Sequence, residues 1–207
     1  MIAGGDISNY DFVSGLVNDN DFVVCADGGI ISCEKLGLKA QVIVGDFDST
    51  DYEYVVNSIA CSNAQILRLN PSKDYTDTEF ALDYLIEKGF KQILLIGALG
   101  GRVDHTIANI FLMEKYHNLG ADVCIADEKN VLRYAKGSTV FINKSNMKYI
   151  SVLPLEDAVV SGEGLKFPMT RVLLKRASSL GVSNEVKDDI AAITIHEGAV
   201  IIAQTKD

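Results

Sequence analysis

The first 126 residues repeat one pattern: a short apolar run, a turn rich in Gly and Asp, then a helix-like stretch. The apolar runs fall at 22–25, 41–44, 65–69, 92–96 and 122–126, and residues 1–3 have the make-up of a truncated first strand. Two of the intervening stretches carry helical periodicity. Over 76–88, Phe80, Ala81, Tyr84, Leu85 and Lys88 give the i, i+4 spacing of a half-buried helix, with Thr76 or Asp77 placed to cap it and Gly89 to follow its end. Over 103–119, Ile107, Ile110, Phe111 and Glu114 share a face, and Gly120 closes the stretch. Strands that alternate with helices of this length form a parallel sheet covered on both faces. The run Ile93-Leu94-Leu95-Ile96 is apolar throughout, as a strand buried on both sides requires.

The texture changes near residue 130. Short strand-like segments follow one another at 131–134, 139–142, 148–153, 158–162, 190–195 and 199–203, and His196-Glu197-Gly198 reads as a hairpin turn between the last two. This pattern predicts a smaller antiparallel β-sandwich. The expected organisation is therefore an N-terminal parallel-sheet, Rossmann-like α/β domain over 1–128 and a β-sandwich over 129–207, with no long flexible linker between them.

Ligands of an open parallel sheet bind beyond the carboxyl ends of its strands. Four turns expected at that edge carry the chain's unusual chemistry: Ala26-Asp27-Gly28-Gly29, Gly45-Asp46-Phe47-Asp48-Ser49, the segment 70–77 with Lys73, Asp74 and Asp77, and the segment 97–104 with Gly100, Gly101, Arg102 and Asp104. Each turn alone is ordinary, since Asp-Gly is a common turn and Asp or Thr before a helix is commonly a cap. Together they bring several carboxylates, one lysine and one arginine to one rim. If the Asp46-to-Asp48 segment stays extended, its two carboxylates point the same way and repel unless a cation lies between them. Mg²⁺ binds one or two carboxylates together with substrate phosphates, and glycine-rich turns before helices offer backbone N–H groups to phosphate oxygens. The rim thus predicts a metal–phosphate site.

Other readings are excluded or weaker. No G-x-x-x-x-G-K followed by Ser or Thr is present, 97–101 does not fit a dinucleotide-binding G-x-G-x-x-G, and G-x-S-x-G is absent. The net charge of −9 disfavours nonspecific binding to nucleic acid or to anionic membranes. No run of eighteen apolar residues suggests a membrane span, and residues 1–6 do not resemble a secretory signal. Four scattered cysteines, none in a C-x-x-C pair, fit reduced thiols in a cytoplasmic protein. Of the histidines, His105 beside Asp104 is the candidate for substrate contact, while His117 and His196 read as surface positions.

Cys25-Ala26-Asp27-Gly28-Gly29, Gly45-Asp46-Phe47-Asp48-Ser49, Lys73-Asp74-Tyr75-Thr76-Asp77-Thr78-Glu79 and Gly100-Gly101-Arg102-Val103-Asp104-His105 stand in an order and spacing that resemble the thiamine pyrophosphokinase family of bacterial type. Gly164-Leu165-Lys166-Phe167-Pro168 and Gly181-Val182-Ser183-Asn184-Glu185 extend that resemblance over essentially the whole chain. The resemblance implies diphosphoryl transfer from ATP to the hydroxyl of thiamine, giving AMP and thiamine diphosphate. It implies a homodimer with active sites shared between subunits. It implies Mg²⁺ held by Asp46, Asp48, Asp74 and Asp77, with Asp27 lining the site, and Lys73 and Arg102 on the ATP phosphates. Ser183 and Asn184 would lie on the thiamine side. Phe167 stands where family members often carry Trp or Tyr, and could stack on the thiamine rings. No general base is obvious from the residues; Asp104 is a candidate. Two alternatives remain open: a different Mg²⁺-dependent phosphotransferase or phosphohydrolase, and a non-catalytic nucleotide or thiamine binder.

Overall fold

The computed structural model describes residues 1–18, 20–47, 52–72 and 74–207. The chain divides into two compact units, Met1–Glu128 and Lys129–Asp207.

The first unit carries five strands, β1 (Val24–Ala26), β2 (Val42–Gly45), β3 (Gln65–Arg68), β4 (Gln92–Ile96) and β5 (Asp122–Ala126). Its helices are α1 (Tyr10–Ser14), α2 (Gly29–Lys35), α3 (Tyr52–Asn57), α4 (Asp77–Glu87) and α5 (Val103–Asn118), with a 3-10 turn at Ile59–Cys61. The pairs β1–β2, β2–β3 and β4–β5 are all parallel. Among the described residues, the N-terminal segment around Ile2 joins the two groups. Ile2 forms parallel bridges to Cys25 of β1 and Ile96 of β4 at once. The surrounding backbone bonds, Ile2 N–H to Val24 O, Ala26 N–H to Ile2 O and Ala3 N–H to Ile96 O, are each 2.8 Å long. The parallel order across the unit is therefore β3, β2, β1, the Ile2 segment, β4, β5.

Burial follows from that order. Val24, Cys25 and Ala26 are all buried, as are all four residues of β2. The edge strand β3 is less covered, half-buried at Ile66 and Leu67 and exposed at Gln65 and Arg68. Cys25, Cys33 and Cys61 lie in the core as free thiols. Gly29 opens α2, and a Cβ there would sit 2.2 Å from Ile2 O, so a glycine lets this helix lie directly on the central segment.

Two details differ from the sequence expectation. On α5 the buried residues are Asn109, Met113 and Tyr116, whereas Ile107 and Phe111 are exposed. The apolar i, i+4 stripe is real, but a different face of the helix meets the sheet. Helices α1, α2 and α3 are too short to leave a clear period in the sequence. Among the described residues, no helix is long and apolar enough to cross a membrane.

The second unit holds seven antiparallel strands: β6 (Asn130–Lys136), β7 (Thr139–Asn143), β8 (Tyr149–Pro154), β9 (Ala158–Glu163), β10 (Met169–Leu174), β11 (Ile190–Glu197) and β12 (Ala199–Thr205). They form the sheets β10-β9-β11-β7 and β6-β12-β8. Period-2 patterning places Ala191, Ile193 and Ile195 of β11 inward, and Ile150 and Val152 of β8 meet them in one shared core. The unit is thus a β-sandwich. Strand β10 was not legible beforehand. Its register slips between Met169 and Val172, where Arg171 takes a φ of 47°, and that irregularity breaks the alternation a strand is recognised by.

Candidate active site

The carboxyl ends of the central parallel strands border a cleft of about 340 Å³, a size typical of small-molecule sites. It lies where the strand order reverses, between the Ile2 segment and β4, which is where open α/β sheets take ligands. Asp27 enters from the end of β1, Asp77 from the start of α4, and Arg102 from the turn that leads into α5.

Each group is held by local structure. Asp27 has a φ of 45°, and its N–H donates to Val44 O at 2.7 Å. A left-handed conformation in a residue with a Cβ costs about 1 kcal/mol or more and persists where its surroundings impose it. Phe47, one turn away, has a φ of 59° and is buried, its ring 5.6 Å from that of Tyr52. The chain is therefore not extended at Phe47, so extended geometry is not what orients Asp46. Gly45 lies between these turns; a Cβ on it would sit 3.3 Å from the Cα of Asp27 and 3.2 Å from the Phe47 ring.

Thr76 caps α4, its Oγ1 accepting from Glu79 N–H at 3.1 Å. The first turn of that helix is tied to α5. Lys115 Nζ donates to Glu79 at 2.9 Å and to Asp83 at 2.8 Å, and the Tyr116 hydroxyl donates to Glu79 O and Asp83. Burial, with Asp83 and Glu79 beside it, pushes the Tyr116 hydroxyl far above its ordinary range, so it stays protonated as a donor.

The glycine-rich turn after β4 runs through left-handed conformations at Gly97, Gly100 and Gly101, with φ values of 68°, 82° and 60°. Gly5 N–H donates to Gly97 O at 2.9 Å, and Asn109 Nδ2 donates to Ala98 O at 3.0 Å. At the far end of the turn, Arg102 grips Asp104 through two bonds of 2.6 and 3.2 Å. The Arg102 guanidinium, helped by the His105 backbone N–H, holds the Asp104 carboxyl down at about 2. Both side chains are well exposed. Asp104 therefore has little appetite for a proton.

The cleft gathers Asp27, Asp77, Gly100, Gly101, Arg102 and His105 from the residues singled out in the sequence. Asp46 directly follows β2 and is half-buried, and Asp74 is exposed just ahead of α4; neither borders the cleft, and nor does Asp104. Gly28 and Gly29 lie at the start of α2, where Gly29 serves contact with Ile2. Asp48 and Lys73 fall outside the described residues. Among the described residues, no three His, Cys, Asp or Glu side chains cluster closely enough to ligate one ion together. Sequence reading missed Gly4, Gly5, Asp6, Thr78 and Asn109, all of which border the cleft. The Gly4-Gly5-Asp6 run right after an apolar triplet was the available signal.

In the second unit, Phe167, Ser183 and Asn184 come together. The Asn184 carboxamide grips the Phe167 backbone from both sides, accepting from its N–H at 3.0 Å and donating to its carbonyl at 2.7 Å. Asn184 also exchanges backbone bonds of 2.8 Å with Ile150. Ser183 takes a φ of 62°, with its N–H on Ser151 Oγ at 3.1 Å. The Phe167 ring is 61% exposed, and the Lys166 ammonium sits 5.7 Å from its centre.

With this geometry in hand, comparison with known proteins is decisive. The model of the thiamin pyrophosphokinase catalytic domain matches residues 13–125, and that of the thiamin pyrophosphokinase vitamin B1 binding domain matches residues 138–201. The chain belongs to the thiamin pyrophosphokinase family. It is thus a member of an enzyme family. A thiamine pyrophosphokinase of Bacillus subtilis is 26% identical over 210 residues, covering 100% of this chain and 98% of that protein. Thiamin pyrophosphokinase 1 of Caenorhabditis elegans is 30% identical over 185 residues, covering 83% and 74%. The crystal structure of thiamine pyrophosphokinase from Bacillus subtilis superposes with a TM-score of 0.90 at 26% identity, covering 99% of this chain and 97% of that one. The thiamin pyrophosphokinase fold, an α/β unit followed by a β-sandwich, is the fold of this chain.

Proposed function

We propose that this protein transfers the terminal diphosphoryl group of ATP to the hydroxyl of thiamine, forming AMP and thiamine diphosphate. The observation that carries the proposal is the coincidence of the cleft with the unit matched by the catalytic-domain model. In the transfer, the thiamine hydroxyl oxygen bonds to the β-phosphorus as the bond from that phosphorus to the α–β bridging oxygen breaks. The bridging oxygen leaves with AMP, and the hydroxyl proton goes to a base.

The chain's own groups suit this work. Arg102 presents a planar fork already set for a bidentate oxyanion, and a phosphate is the natural competitor for its bond to Asp104. The Gly97–Gly101 turn supplies a backbone that a phosphate chain can approach closely. Asp27 and Asp77 each direct a carboxylate oxygen that is shielded from solvent. Mg²⁺ takes one or two carboxylates alongside phosphates and water, and Asp77, with Asp46, Asp48 and Asp74 from neighbouring turns, would supply such oxygen donors. When bound, Mg²⁺ offsets the charge of the phosphate oxygens and of these carboxylates. Asp104, held at about 2, is a poor acceptor for the hydroxyl proton.

Phe167 is proposed as the thiamine platform. Its exposed face already accepts a cation from Lys166, which is the interaction a thiazolium ring would make. Asn184 then acts through Phe167, by clamping its backbone. We further assign a cytoplasmic homodimer; the free thiols in the core fit a reducing compartment.

Incubation with ATP, Mg²⁺ and thiamine, followed by separation of the products, tests the reaction. AMP with thiamine diphosphate is expected. ADP or free phosphate would replace this reading with another phosphotransferase or phosphohydrolase, and binding without turnover would leave only a binder.

A further inference from the structure

We infer that Asn109 is a positioning residue for nucleotide binding, acting through the glycine-rich turn; this rests on the nucleotide reading above. Asn109 lies two turns into α5 and is only 6% exposed, a buried amide in a largely apolar helix face beside Met113 and Tyr116. Its Nδ2 donates to Ala98 O at 3.0 Å, and the residue borders the cleft.

The turn it grips starts packed, with Gly97 and Ala98 buried, and opens toward its far end. Gly97, Gly100 and Gly101 all adopt left-handed conformations, and glycine moves among several such conformations at small cost. A Cβ at Gly100 or Gly101 would meet nothing within 4 Å, so packing does not pin that end of the turn. Hydrogen bonds hold the turn along its length. Gly5 N–H holds Gly97 O at 2.9 Å, Asn109 holds Ala98 O, and Thr106 Oγ1 reaches Gly100 O at a long 3.3 Å. Of these, the Asn109 bond is the buried side-chain contact. Because the peptide unit is planar and trans, fixing the Ala98 carbonyl also fixes the Leu99 N–H and the direction in which the chain enters Leu99. Arg102 lies three residues beyond that point. Asn109 thereby presets the start of the turn whose backbone would meet a phosphate chain.

The test is calorimetric titration of Mg·ATP into the wild-type, N109A and N109D proteins, paired with KM for each substrate. Removal of the donor is expected to weaken ATP binding about tenfold in both variants while the KM for thiamine stays unchanged. In N109D, affinity should recover as the pH is lowered, because a protonated acid again donates to the Ala98 carbonyl. If thermal melts show that a variant is unfolded, N109S takes its place. Loss confined to thermal stability, with the ATP Kd of the folded variants unchanged, would overturn the inference. Equal increases in both KM values would overturn it too. A wild-type protein that binds ATP but makes no thiamine diphosphate would sink the proposed reaction and leave this inference standing. No ATP binding by the wild type would sink both.

Discussion

Asp77 begins α4 beside a threonine cap, in a turn that is both braced against α5 and open to the cleft. Its Oδ1 is shielded from solvent, which suits it to share a bound cation with phosphate oxygens. Asp77→Asn should lower turnover by about 100-fold or more while leaving the thermal midpoint equal or higher; normal turnover would remove Asp77 from the site. Asp104 is the opposite case. Its folded value of about 2 lies below the unfolded value near 3.9. Any stability its contact with Arg102 lends is therefore present above about pH 4 and is lost as the pH falls through about 2. No titration of Asp104 is expected near neutrality. The pH profile of kcat/KM for Asp104→Asn should keep its limbs where the wild type has them between pH 5 and 9; a displaced acid limb would identify Asp104 as the base. At this scale the sequence was partly legible. Asp27, Arg102 and Gly100 stood out because turn chemistry names them, whereas Asn109 is one polar residue inside an apolar helix, and its partner is a carbonyl that no side-chain pattern reveals.

Elements are placed by close backbone approaches as much as by apolar area. The contact of α2 with the Ile2 segment depends on Gly29, since the Ile2 carbonyl occupies the space of any Cβ. Gly29→Ala should lower stability by about 1–3 kcal/mol, read as a fall in the urea midpoint with an unchanged slope; an unaltered midpoint would show that the helix shifts freely. The strands of the first unit were legible because buried parallel strands are continuously apolar. So was α4, with its threonine cap and closing glycine. The buried face of α5 was not, because its apolar stripe is the exposed Ile107–Phe111 side and the inward side includes Asn109 and Tyr116. Bulged β10 escaped for a related reason, its alternation being interrupted at Arg171.

At the scale of the whole molecule, two compact units divide the chain, and the change of texture from periodic helices to short alternating strands announces them. The side chains differ likewise, with acidic and glycine-rich turns around the cleft in the first unit and an exposed aromatic clamped by an amide in the second. What no local pattern conveyed was how the parallel sheet is joined. Among the described residues, the two strand groups of the first unit are bridged through the Ile2 segment, whose partners Cys25 and Ile96 are far apart in the chain. In kinetic terms this seam has a high contact order, while β1 to β3 and the β4–β5 pair are each built from nearer neighbours. The two halves can form early and the seam closes late, after the folding barrier. Ile2→Ala should then accelerate unfolding in proportion to its loss of stability and leave the refolding rate nearly unchanged; slowed refolding would place the seam in the nucleus. The cleft lies at that same seam, so the site would be the last part of the unit to be assembled and the first to come apart.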